Sequence, residues 1–163
     1  MAGNLKVRIH ENIVLNNTSY SSKRTYTKSG INEAIKRIVS VSTTETGLVG
    51  FDEANSDNLG KSHVAGLFDE DEVFYIRITN LDDTNHIILT FKDENGVEFV
   101  IKVDAGHSFI YPGDNSTGVV NSMRADDQAL SLSSLGDLVD ITATADTDSC
   151  NVEVFVASTC WQF

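Results

Sequence analysis

Residues Glu72–Tyr111 read EVFYIRITNLDDTNHIILTFKDENGVEFVIKVDAGHSFIY. Four apolar-rich runs lie here between short polar turns, and none has a helical period. Phe74, Ile76 and Ile78 alternate with Tyr75, Arg77 and Thr79. Ile87, Leu89 and Phe91 alternate with Ile88, Thr90 and Lys92, and Phe99, Ile101 and Val103 with Val100 and Lys102. A strand points successive side chains to opposite faces, so period-two alternation of β-branched and aromatic residues predicts half-buried strands. Asp93-Glu94-Asn95-Gly96 separates the second run from the third. Asn and Gly accept a positive φ at little steric cost, so these two runs are expected to form a hairpin.

Working outward, Leu5–His10 alternates cleanly, and Ile13-Val14-Leu15 follows after a break. Residues 16–29 are polar and carry Lys23, Arg24 and Lys28. Their low hydrophobicity predicts a surface loop or flexible arm that orders against an acidic neighbour. Over Gly30–Val41 two periods compete. Ile31, Ile35 and Ile38 suit a helical face, whereas Ile35, Arg37, Val39 and Val41 suit a strand. The β-branched content favours a strand from about residue 34. Further strands are expected at residues 47–51, near 118–123, at 138–145 and at 152–156, each bounded by turn residues. No strand–helix–strand rhythm occurs. The expected fold is all-β: one domain over residues 1–163, an antiparallel β-sandwich of jelly-roll-like form with an N-terminal arm or loop.

With 12 Lys and Arg against 24 Asp and Glu, the formal charge is −12 and the isoelectric point about 4.5. That field repels phosphate backbones and anionic bilayers, so neither nucleic acid nor membrane is an expected partner. The acidic residues are scattered and read as a solvated surface; Asp69–Glu72 reads as a charged turn. Cys150 and Cys160 flank an extended-looking run, which predicts free thiols rather than a disulfide. The first residues lack the apolar core of a signal peptide, so cytoplasmic synthesis is expected and the sequons at Asn16, Asn17 and Asn115 read as chance matches.

The chemistry-bearing residues do not assemble into a site. His10, His63, His86 and His107 have no metal-ligand spacing, and the one-residue histidine pair of a cupin-type metal centre is missing. Asp82-Asp83, Asp126-Asp127 and Asp146/Asp148 occupy turn contexts, where Asp serves backbone hydrogen bonding, and no calcium-loop pattern is present. There is no GxSxG, and neither cysteine has an adjacent histidine. Trp161 with Tyr20, Tyr26, Tyr75 and Tyr111 could stack on a sugar, which keeps a carbohydrate-binding module open. No catalytic, cofactor-binding or metal-ligating residue is assigned, and the chain is expected to be non-enzymatic.

At YIRITNLDDTNHIILTF, FVIKVDAGHSFIY and LGDLVDITATADTDSCNVEVFVAS the chain resembles small structural proteins of tailed bacteriophages, notably those of marine bacteria and cyanobacteria. HENIVLNNTSYSSKRTYT shares this look less specifically. The resemblance covers the last ninety or so residues and rests on scaffold motifs, so it carries no site residue across. It implies a virion protein assembled in the host cytoplasm, a capsid cement or decoration protein bridging major capsid subunits as a homo-oligomer. A minor tail, baseplate or fibre-associated protein is the alternative within the virion. On this reading Lys23, Arg24 and Lys28 would contact neighbouring subunits, and Trp161 and Phe163 would bury at an interface.

Overall fold

The computed structural model describes residues 1–52, 67–69, 72–112, 121–123 and 136–159, and these are strand and turn with no α-helix. The first 31 residues form a hairpin arm. In it β1 (Gly3–Glu11) pairs antiparallel with β4 (Ser22–Ile31), and β2 (Val14–Leu15) pairs with β3 (Thr18–Ser19) at the tip. Asn16 and Asn17 close the tip with φ of 50° and 63°. Two consecutive left-handed residues are what a two-residue type I′ turn requires, and Asn tolerates that conformation better than most side chains. Of the loop or arm expected over 16–29, the structure forms the arm, ordered as a hairpin against β1. Thr25, Tyr26 and Thr27 are good strand formers, and the Asn pair supplies the turn that lets them return along β1.

Eight strands build the body. β5 (Glu33–Val41), β8 (Val73–Asn80), β11 (Ser108–Pro112) and β14 (Cys150–Ser158) form one sheet in the order β11-β8-β14-β5. β6 (Thr46–Asp52), β9 (Ile87–Asp93), β10 (Glu98–Val103) and β13 (Gly136–Ala145) form the other in the order β10-β9-β13-β6. These pairs are antiparallel. The short β7 (Leu67–Asp69) extends the second sheet parallel to β6, and β12 (Asn121–Met123) pairs with β13. In chain order the pairing of the eight is nested: β5 with β14, β6 with β13, β8 with β11 and β9 with β10. The two sheets form a β-sandwich.

The expected alternation places the core. Ile76, Ile78, Val152, Val154 and Val156 turn inward from the first sheet, and Ile87, Leu89, Phe91, Ile141 and Ala143 from the second; all are buried. Phe91 of β9 stacks on Phe99 of β10 at 4.8 Å and meets Phe109 of β11 at 5.0 Å, so one ring cluster ties the two sheets. A register shift between β13 and β6 accompanies two consecutive buried residues, Leu48 and Val49, as a bulge allows. β5 resolves the helix–strand competition. Alternation along it half-buries Ile35, Arg37 and Val39 and exposes Lys36 and Ile38, because strand pairing to β14 over nine residues outweighs the weaker helical stripe. Arg37 is tolerated on the inner face since its guanidinium donates to the carbonyl of Leu48 in the facing sheet.

Asn80, at the end of β8, gathers the loops at one end of the sandwich. Its buried amide donates to the carbonyls of Asn85 at 2.8 Å and Val103 at 3.3 Å, and its Oδ1 accepts the N–H of Asp82 at 3.1 Å. The main chain of Asn80 adds bonds to Gly106 and His107. Gly106 sits at φ +73°, as does Gly96 at +77° in the predicted 93–96 turn. Asp93 completes that turn by accepting the N–H groups of Asn95 at 3.0 Å and Val97 at 2.7 Å.

Candidate interaction surface

Strand pairing sorts the arm's residues into two faces. Leu5, Val7 and Ile9 stand opposite Lys28, Tyr26 and Arg24 on one, and Lys6, Arg8 and His10 stand opposite Thr27, Thr25 and Lys23 on the other. At the base the arm touches the body. Leu5, Lys6, Val7 and Arg8 share a groove with Tyr75, Arg77 and Phe155 on the outer face of the β11-β8-β14-β5 sheet. The ammonium of Lys28 lies 3.6 Å from the centre of the Phe74 ring, a cation–π contact. Among the described residues the arm pairs beyond its base with nothing but itself, and every residue from 10 to 21 is exposed.

The arm also concentrates two properties that are sparser on the body. Its five cations, Lys6, Arg8, Lys23, Arg24 and Lys28, face a single carboxylate, Glu11, so residues 1–31 carry +4. The other seven cations and 23 carboxylates give the rest of the chain −16. Of the ten exposed large apolar side chains among the described residues, six belong to the arm: Met1, Ile13, Val14, Leu15, Tyr20 and Tyr26. Two-stranded ribbons are marginal alone, and these side chains have no core of their own to enter.

The described cations of the body, by contrast, have partners, while most of its carboxylates lie outside these pairs. On the outer face Glu153 takes Arg77 at 2.5 Å and Lys36 at 3.5 Å, and the Arg77 hydrogen bond holds its carboxyl below the usual range. Lys92 pairs with Glu98 at 3.4 Å, Lys102 with Asp104 at 2.8 Å and His86 with Asp146 at 3.3 Å. No ion pair among the described residues engages an arm cation. Screened surface pairs are worth little, so the informative feature is the unpaired set on the arm.

The expected contact residues divide accordingly. Lys23 and Arg24 are exposed on β4 and line a groove with Arg8, Ile9, His10 and Thr25. Lys28 is half-buried and committed to Phe74. Arg8, His10 and the apolar tip were not singled out from sequence, although the Asn16-Asn17 pair between Leu15 and Thr18 was the signal that could have exposed them. Trp161, Phe163, His63, Asp126, Asp127, Asn115 and Cys160 lie outside the described residues.

The other candidate chemistry is dispersed. His107 bonds the carbonyl of Ala105 at 2.9 Å, and no three His, Cys, Asp or Glu side chains among the described residues converge as a metal site would need. Cys150 is buried; desolvation, then the nearby Asp82, Asp146 and Asp148, push its thiol pKa up and away from nucleophilic reactivity. Asp82 accepts the N–H groups of Asn85 and Thr84, which hold its carboxyl below the ordinary range in a structural turn. No known protein family, curated protein or solved structure matches this chain.

Proposed function

We propose that this chain is a non-enzymatic virion structural protein, a capsid cement that bridges major capsid subunits with its basic hairpin arm. The observation that carries the reading is the arm itself, a cationic ribbon with an apolar tip projecting from an acidic sandwich. The nested strand order supports reading the sandwich as a jelly roll, an architecture used by viral shells and by lectins. The sequence resemblance to phage structural proteins favours the shell. Bridging a lattice needs a rigid body and a contact element that reaches past its edge, and nine residues of β1 span about 30 Å at strand rise.

Quantitative mass spectrometry of purified virions tests the assignment. A copy number near that of the major capsid protein is the expected result. A few copies per particle would move the chain to the tail, baseplate or fibre, and absence would overturn the virion reading. In that last case the carbohydrate-binding alternative is decided by a glycan array.

A further inference from the structure

We infer that the hairpin arm docks on the acidic body of a second copy of this chain, so that the protein assembles by exchanging arms. The charge partition selects the occupant. The arm carries +4, its counter-charge of −16 lies on the same chain, and no described ion pair brings the two together within one copy. The base explains why they stay apart. Leu5–Arg8 line a groove with Tyr75 and Phe155, and Lys28 lies on Phe74, at the root of the ribbon, while residues 10–21 remain exposed. A second copy presents the missing carboxylates to Lys23, Arg24 and Arg8, and its surface covers Val14, Leu15 and Tyr20 of the tip. Opposite charge steers the encounter and apolar burial holds it. Self-docking rests on this partition rather than on a place in a virion, so the two proposals fail separately.

The test is sedimentation of the purified full-length chain at about 50 mM and about 500 mM salt, conditions that change the Debye length roughly threefold. The expected result is a species of at least twice the 17.8 kDa monomer at low salt, weakened at least tenfold at high salt. The double variant Lys23→Glu/Arg24→Glu and the tip variant Val14→Ser/Leu15→Ser should each sediment as one copy with an unchanged circular dichroism spectrum. A wild-type chain that stays monomeric at low salt overturns the inference, as does association that survives both variants. A carbodiimide cross-link in a mixture of ¹⁴N- and ¹⁵N-labelled wild-type chain keeps the question open to refutation should a variant fold poorly. Mixed-isotope links from arm lysines to body carboxylates support arm exchange; links confined to one isotope, or avoiding the arm, overturn it.

Discussion

The Nζ of Lys28 stands 3.6 Å from the centre of the Phe74 ring, joining β4, the return strand of the arm, to β8 of the sandwich. The contact orients the arm more than it stabilises the fold. A half-exposed cation–π pair is worth about 0.5–1 kcal/mol. Lys28→Ala should therefore cost no more than that globally, yet raise hydrogen exchange at the amides of Leu5–Val7 and Tyr26–Lys28 several-fold. Lys28→Arg, which keeps a cation over the ring, should leave exchange near wild type. Equal exchange in wild type and Lys28→Ala would show that this contact does not hold the arm.

Asn80 offers a sharper stability test because its side chain is fully buried and saturated. Asn80→Ala strips donors from the carbonyls of Asn85 and Val103 and the acceptor from the N–H of Asp82. Leaving such groups unsatisfied costs about 1–3 kcal/mol. Urea unfolding should show a lower midpoint with an unchanged slope, since the surface exposed on unfolding is the same. A loss below about 0.5 kcal/mol would mean that water replaces the amide without penalty.

The fold was legible where burial on one face writes a period into the chain. Ile76 and Ile78, then Ile87, Leu89 and Phe91, alternate in sequence and are buried in the structure. Gly96 likewise marked its turn, because few other residues take its φ of +77°. The arm was legible in part. Leu5–His10 alternate in sequence as β1 does in the structure, and an arm was one of the two readings of 16–29. Residues 23–27 of β4 are exposed, with no buried face to impose a pattern, so their pairing to β1 was missed. The cationic surface of the arm was half legible. Lys23 and Arg24 stand out by charge alone, while the contribution of Arg8 and His10 appears only once the hairpin register sets β1 against β4.

Phe91 should be the most sensitive apolar position. It is buried between Phe99 and Phe109 and belongs to both sheets' contact. Phe91→Ala removes a large ring and leaves a cavity, expected to cost about 3–5 kcal/mol in chemical denaturation. Phe99→Ala should cost distinctly less, because that ring is only half-buried and water can occupy part of the space it leaves. The reverse order would place the main ring contact between the sheets elsewhere.

Asp140 and Asp82 should respond to pH with opposite signs. Asp140 is half-buried, and desolvation, reinforced by Glu45 against the opposing pull of Ile141 N–H and Lys92, raises its pKa above the ordinary 3.8. Its folded state prefers the protonated acid, so its contribution to stability is full below the unfolded pKa and lost as pH rises through the folded one. Asp82 is lowered by the backbone N–H groups of Asn85 and Thr84, so its contribution is full above the unfolded pKa and lost as pH falls through the folded one. Asp140→Asn should therefore stabilise the protein modestly at about pH 7, the effect being reduced by solvent screening, and converge on wild type at about pH 3. Asp82→Asn should lower the melting temperature at neutral pH and approach wild type only as pH falls through the lowered folded-state pKa of Asp82. Thermal melts of the three proteins across that range decide the matter: curves of the two variants displaced in the same direction at pH 7 would contradict the burial assigned to Asp140 or the turn assigned to Asp82.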